Sequence, residues 1–329
     1  MQVASSGGTA LTGRFAAALD ALWPGYTITA DLRLGLAVSG GPDSVAMLLL
    51  AHAALPGRIA AATVDHGLRA GSAAEAAMVA QLCRTLGVEH AVLPVTLAPG
   101  NVQALARAAR YAALAEWAGK AGLAALATAH HADDQAETLL LRLNRGSGVA
   151  GLAGVRARGL VPESKLPLLR PLLGFRRAEL AQVVAAAGLE PASDPSNVDD
   201  RFDRARLRKD LAGADWLDVP AIAASAAHLA DADAALDWAG QREWAECVAR
   251  APMGLTYRPQ APRAVALRVI ARIVRELDGE EPRGGAVARV FQNLLARETC
   301  SIGELVARVT AEGWSFSKAP ARRHPSSPT

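Results

Sequence analysis

The stretch LAVSGGPDSVAMLLL, Leu36 to Leu50, decides how this chain folds. It opens inside an apolar run, Leu34-Gly35-Leu36-Ala37-Val38, short and sharply bounded, which reads as a buried strand. Small residues follow, Ser39-Gly40-Gly41-Pro42-Asp43-Ser44, and then a helical apolar pattern on Val45, Leu48 and Leu49 with His52 near its end. A strand, a glycine turn and a helix in succession present backbone N–H groups and a positive helix end to an anion. Gly40 and Gly41 let the backbone approach phosphate oxygens where a Cβ would obstruct them. The GxxxxGK[ST] of the ordinary nucleotide P-loop is missing, and its lysine with it. Taken alone, the stretch is equally compatible with a structural turn capped onto a helix.

Outward from this stretch the same alternation continues. Residues 9–22 read as an amphipathic helix before the first strand. Arg58 to Val64 reads as a second strand ending at Asp65-His66-Gly67, followed by a helix over 72–86 and a strand Ala91 to Val95. Asn101 caps a helix running to Lys120, then come a strand from Leu123 to Thr128, the pair His130-His131, and a helix from Ala132 to Asn144. Strands alternating with helices of this length predict a doubly wound α/β fold with a mainly parallel sheet covered on both faces. Ligands of such sheets sit beyond the carboxyl ends of the strands. The polar clusters Ser39–Ser44, Asp65-His66 and His130–Asp134 each fall there, which favours the anion-site reading of the first turn.

The rest of the chain is less regular. Arg145-Gly146-Ser147-Gly148 stops the helix, a Gly- and Pro-punctuated loop runs to Pro167, and Arg170-Pro171-Leu172-Leu173 precedes a helix over Phe175 to Ala187. Asp194-Pro195-Ser196-Asn197 is a turn signal, and Arg201, Arg204, Arg206 and Arg208 form a basic stretch. Composition changes around Gly213–Pro220. We therefore expect an N-terminal helical extension (1–29), a catalytic domain (30–215), a smaller, mostly helical C-terminal domain (216–318) and a disordered tail (319–329). Helices are expected over 221–249, 261–278 and 285–297, then alternating runs at Glu304–Val309 and Gly313–Ser317.

The chain has 329 residues, half of them hydrophobic, and a net charge of +3, enough to bury a sizeable core in one or two domains. No apolar run reaches membrane-span length, and the N-terminus lacks a basic segment leading into an apolar one. Cys83, Cys247 and Cys300 are scattered and form neither a disulfide framework nor a CxxC pair. A cytoplasmic protein is expected. Lys120, Lys165, Lys209 and Lys318 are the only lysines, and every other basic side chain is arginine. Arginine suits phosphate recognition, although a codon bias would leave the same trace.

Ser39 to Ser44 resembles the SGGxDS signature of the PP-loop ATP pyrophosphatases. Val64-Asp65-His66-Gly67-Leu68-Arg69, Ala106-Arg107-Ala108-Ala109-Arg110-Tyr111, the run from Thr128 to Thr138 and the run from Arg145 to Leu152 follow in an order similar to that of the tRNA(Ile)-lysidine synthases. Arg170 to Leu173 and Asp194 to Asn197 fit as well. The resemblance covers residues 30–210. It departs at Arg204-Ala205-Arg206, where the family carries Arg-Asn-Arg, and the chain is shorter than members with an additional C-terminal module.

The resemblance implies that ATP adenylates the wobble cytidine of tRNA(Ile) with a CAU anticodon and that the side-chain amine of L-lysine displaces AMP. Its ATP site would comprise Ser39, Gly40, Gly41, Pro42, Asp43, Ser44, Asp65 and His130, with Asp43 and Asp133 holding Mg²⁺. Asp134 and Glu137, one helical turn apart, would take the lysine ammonium, and either could assist proton removal from the amine. Arg107 and Arg110 share a helix face and would stabilise the transferring phosphoryl group or grip tRNA phosphate. Asp43, Arg107, Arg110, Asp134 and Glu137 are thus the catalytic candidates. Arg145, Arg201, Arg204, Arg206 and Arg208 would contact tRNA. His66 and His131 receive no firm role. A homodimer is admitted and no membrane partner is expected. The rivals are a PP-loop tRNA thiolation enzyme, whose chemistry generally needs cysteines, and a tRNA-binding relative without catalysis.

Overall fold

The computed structural model describes residues 6–25, 31–65, 72–96, 102–190, 203–214 and 216–319. The first half alternates as its sequence pattern requires: α1 (Ser6–Leu22), β1 (Leu34–Ala37), α2 (Pro42–Ala54), β2 (Ile59–Asp65), α3 (Ser72–Leu86), β3 (Glu89–Pro94), α4 (Val102–Lys120), β4 (Ala125–Ala127) and α5 (Ala132–Asn144). There follow α6 (Val149–Leu152), β5 (Arg158–Leu160), β6 (Pro167–Leu169), α7 (Arg177–Ala186), α8 (Asp203–Ala212) and α9 (Val219–Cys247). The described residues pack as two units divided between Ala230 and Asp231, a point inside α9.

In the first unit the strand order is β3-β2-β1-β4-β6-β5. All neighbours are parallel except β5, which returns antiparallel along β6. Leu34 of β1 is in register with Ile59 on one side and Ala125 on the other. From β1 the chain first builds outward through β2 and β3, then reverses and builds outward from β4. The two halves diverge between β1 and β4, the place where doubly wound sheets bind ligands.

Side chains alternate across the pleat. Leu34, Leu36, Ile59 and Ala61 face a core with Phe15 and Leu19 of α1, Val79 and Leu82 of α3, and Leu180 and Val183 of α7. Ala60, Ala62 and Leu126 face the opposite core with Tyr111, Leu114 and Trp117 of α4. A Cβ on Gly35 would stand 2.9 Å from Leu123 and 3.1 Å from Trp117, so only glycine lets α4 approach the central strand this closely. Helix α2 is buried from Ser44 to Ala51, as expected of an element that is apolar all round. Pro42 begins it at a position where no intrahelical N–H is required.

The second unit contains the end of α9 and then β7 (Val248–Ala251), β8 (Gly254–Tyr257), α10 (Arg263–Asp278), α11 (Gly284–Leu295), β9 (Cys300–Ile302), β10 (Leu305–Thr310) and β11 (Gly313–Lys318). Its five strands form an antiparallel sheet in the order β7-β8-β11-β10-β9. Ile270, Ile273, Val290, Leu305, Tyr257 and Phe316 fill the core, with Trp314 edge-on to Tyr257 and Phe291 at 5.8 and 5.6 Å. The expected helices are present and the two expected alternating runs are β10 and β11. Strands β7, β8 and β9 complete a sheet that the sequence pattern showed only in part. Glu243 is buried and accepts hydrogen bonds from the Tyr257 hydroxyl and the N–H groups of Gln260 and Ala261, at 2.7–3.0 Å. Arg268 of α10 pairs with Asp233 and Asp237 of α9.

Candidate active site

Because β1, β2, β4 and β6 run parallel, Ser39, Asp65, Thr128 and Arg170 all lie along the carboxyl rim of one sheet. The turn after β1 is held by its own side chains. The Ser39 N–H donates to Ser44 Oγ at 3.2 Å, and the Ser44 hydroxyl donates to the Gly41 carbonyl at 2.9 Å. Gly40 has φ +92°, the left-handed region, and its missing side chain faces Glu75. The turn delivers the chain into the first turn of α2, where backbone N–H groups lack intrahelical acceptors. Backbone N–H groups and small side chains arranged in this way can receive an anion.

Facing it is the start of α5. His131 occupies the N-cap, and its N–H donates to Asp134 Oδ2 at 3.1 Å. The imidazole is 1 % exposed. Its Nε2 lies 3.4 Å from Asp43 Oδ2 and 3.5 Å from Asp134 Oδ2, and its Nδ1 lies 3.5 Å from Asp133 Oδ2. These are ion-pair distances rather than well-formed hydrogen bonds. Burial opposes a charge on the ring, but Asp133, Asp43 and Asp134 together outweigh it and raise the pKa to about 9. His131 is therefore an imidazolium at neutral pH, joining the β1 turn to α5.

Asp133 serves a different joint. Its Oδ2 accepts the Arg177 N–H at 2.8 Å, capping α7, and Arg176 lies across it at 3.4 Å. Burial works against its charge, yet His131, the Arg177 N–H and Arg176 hold its pKa well below the usual carboxylate range. Sequence reasoning offered Asp133 to a metal. Its carboxylate lies at an α5–α7 junction, with a helix N-terminus and two cations around it. Asp43 is in another position: its Oδ1 is buried and has no hydrogen-bond partner among the described residues.

Glu137 is 1 % exposed. Arg208 of α8 reaches it with two donors along one edge of the guanidinium, Nε to Oε1 at 2.5 Å and Nη2 to Oε2 at 3.2 Å. Arg177 adds an ion pair at 3.5 Å, and Arg208 Nη2 stands 3.8 Å from Asp134. Burial would lower the Arg208 pKa, but Glu137, Asp134 and Asp43 raise it. Arg208, expected among the tRNA contacts, thus has its guanidinium turned onto the carboxylates of α5. The cluster unites Asp43, Asp133, Asp134 and Glu137 with His131, Arg176, Arg177 and Arg208.

The remaining candidates are placed around this centre. Gln135, buried behind it, exchanges two hydrogen bonds with the Val155 backbone at 2.7 and 2.8 Å and ties the segment after α6 to α5. His130 is half-buried, with Nδ1 at 3.1 Å from Thr128 Oγ1. Asp65 ends β2. Arg107 and Arg110 lie on α4, exposed, with Arg107 over the Tyr111 ring at 5.2 Å. Arg145 caps the exposed end of α5 and Arg206 is exposed on α8. His66 and Arg201 lie outside the described residues, as do the side chain of Arg204 and the motifs at 67–69 and 194–197. Sequence reasoning did not single out His131, Arg176 or Arg177. The signal for His131 was its N-cap place before two aspartates. Nothing local marked the arginines, which reach the cluster only through the packing of α7 on α2.

Cys83 is buried in α3, where burial pushes its thiol to about 11, while Cys247 ends α9 and Cys300 starts β9. None belongs to the cluster.

Residues 14–214 match the PP-loop domain family. A tRNA(Ile)-lysidine synthase of Novosphingobium aromaticivorans is 49% identical over 324 residues, covering 96% of this chain and 97% of that protein. One from Zymomonas mobilis is 39% identical, covering 88% and 90% respectively. Among solved structures, the U34-tRNA thiolase NcsA of Methanococcus maripaludis with its [4Fe-4S] cluster shares the fold, with a TM-score of 0.54 at 16% identity over 67% of this chain and 78% of that one. This chain belongs to the PP-loop family and, within it, to the tRNA(Ile)-lysidine synthases.

Proposed function

We propose that the chain uses ATP to join L-lysine to the wobble cytidine of tRNA(Ile) with a CAU anticodon. The cytidine 2-carbonyl oxygen attacks the α-phosphorus of ATP and pyrophosphate leaves. The lysine side-chain amine then attacks C2, the C2–O bond to AMP breaks, the amine gives up a proton, and lysidine and AMP remain. The observation that carries this reading is the juxtaposition of the Ser39–Ser44 cradle with Asp134 and Glu137, bridged by His131.

The cradle fits pyrophosphate because its donors belong to the backbone and to α2's first turn. A cleavage between α and β phosphates does not need the lysine of an ordinary P-loop, and none is present. The orphaned Asp43 Oδ1, buried beside that cradle, suits a hard cation bound chiefly by phosphate and water. Asp43 would hold Mg²⁺, which when bound neutralises charge on the polyphosphate. Asp134 and Glu137 offer the substrate ammonium two carboxylates and then accept or relay its proton. Arg107 and Arg110 are proposed to meet phosphate, of ATP or of tRNA. In the second unit, Arg272 stacks on Trp244 at 4.0 Å in a groove shared with Gln241 and Arg268, and this pairing suits a nucleotide. An alternative thiolation chemistry finds no cysteine beside the cradle.

The test is ATP–pyrophosphate exchange together with labelled-lysine incorporation into tRNA(Ile). Lysine incorporation should require the CAU-bearing tRNA, and incorporation without it would overturn the reading. Asp134→Asn should weaken lysine use more than adenylation. Equal loss of both half-reactions would remove Asp134 from the amine site.

A further inference from the structure

The carboxylates assigned to the lysine ammonium already hold a cation supplied by the chain. We propose that Arg208 is an internal placeholder for the substrate ammonium, seated on Glu137 and Asp134 until lysine displaces it. The inference rests on the assignment of Asp134 and Glu137 to lysine.

Glu137 is almost completely buried and sits on a helix whose neighbouring Ala132 and Ala136 are packed against Val219. A carboxylate so placed calls for a cation beside it. Within the chain that cation is the two-pronged Arg208 guanidinium at 2.5 and 3.2 Å, with Arg177 more distant at 3.5 Å. A lysine ammonium arriving while Arg208 remained would crowd a fourth positive charge, beside Arg208, Arg177 and His131, onto carboxylates that are already compensated. Charges of one sign a few ångström apart in a poorly solvated site repel strongly. Entry is therefore an exchange of one cation for another.

The two partners differ in exposure. Glu137 is fixed within α5. Arg208 is a quarter exposed and projects from a ten-residue helix whose Arg206, Lys209 and Asp210 face solvent. Arg208 is the member that can leave. The device also selects: a neutral side chain of lysine's length cannot compensate Glu137, so it cannot evict the guanidinium.

The experiment uses the full chain and calorimetric titration with L-lysine. Arg208→Gln, which removes the competing cation, should bind lysine about tenfold tighter than wild type, the factor expected for one charged hydrogen-bonded pair. Arg208→Lys keeps a competing ammonium and should stay within about threefold of wild type. Arg208→Gln binding no tighter, or Arg208→Lys binding as tightly as Arg208→Gln, would overturn the placeholder. Glu137→Gln separates the two assignments. If it leaves lysine affinity unchanged, the lysine site itself is misassigned. If it weakens lysine while Arg208→Gln gains nothing, only the placeholder fails. Amide hydrogen exchange of the unmodified chain gives a readout independent of substitution. Lysine should accelerate exchange over residues 206–212 and norleucine should not, and equal exchange with and without lysine would also overturn the proposal.

Discussion

Replacing His131 with asparagine removes the one cation shared by Asp43, Asp133 and Asp134, and its effect on stability should depend on pH in a defined way. The imidazole's pKa rises from 6.5 to about 9 in the folded chain. Between those values the folded state keeps a proton that the unfolded state releases, so stability falls as pH rises. The contribution is fully present below pH 6.5 and is lost through pH 9. One pKa unit corresponds to about 1.4 kcal/mol, so this shift is on the order of 3 kcal/mol. Urea unfolding of wild type and His131→Asn, at pH steps from 6 to 10 in EDTA without nucleotide, measures it. The stability difference should shrink by about 3 kcal/mol across the window, since asparagine has no proton to lose. Parallel curves for the two proteins would refute a shared imidazolium at the centre of the cluster.

Three further perturbations test neighbouring parts. Gly40→Ala forces a side chain into a left-handed backbone and should destabilise by about 1–2 kcal/mol, with ATP–pyrophosphate exchange reduced more than the folded fraction; unchanged exchange would separate the turn from ATP. Gln135→Ala leaves both polar groups of Val155 without their partner and should lower stability by about 1–3 kcal/mol, with faster hydrogen exchange over 146–155. Glu243→Ala strands the Tyr257 hydroxyl and the N–H groups of Gln260 and Ala261 and should destabilise by about 2–3 kcal/mol. Burial opposes the Glu243 charge, but the N–H groups of Gln260 and Ala261 and the Tyr257 hydroxyl depress its pKa. That stabilisation is present above the ordinary carboxylate value and lost on acidification, and the variant should lack this acid sensitivity in a urea series.

The α/β half of the molecule was legible because its signals are local. Short apolar runs, glycine turns and helical spacing each fit within about fifteen residues, and helix α5 begins and ends where its sequence pattern does. The chemistry-bearing rim followed, since every polar cluster came directly after a strand. Two features of the site were not readable. Arg208 looks, in sequence, like one of four surface arginines, and only the docking of α8 beside α5 turns it onto Glu137, 71 positions away. Asp133 looks like a metal or capping carboxylate of its own helix, yet it caps α7, 44 positions on. Side-chain commitments across such separations leave no periodicity. Strands β7 to β9 were missed for a related reason. Each has only three or four residues, too few to show alternation; β9 pairs with β10, β8 with β11, and β7 with β8 in turn.

The central position of β1 has a consequence for how the protein is made. Leu34 to Ala37 pairs with β2 on one edge and β4 on the other. The chain emerges from the ribosome in order, so β2 is available early, while β4 begins at Ala125, 88 residues after β1 ends at Ala37. At about 5–20 residues per second, that edge of β1 waits on the order of 4–18 s for its partner. Until then the apolar face around Leu34 and Leu36 and an open row of backbone donors and acceptors belong to a half-built sheet. The nascent chain is most vulnerable to wrong pairing in this interval. Synthesis of β4 covers that edge of β1, and α5 follows at once, so the cradle's carboxylate partners arrive directly behind the strand that pairs it.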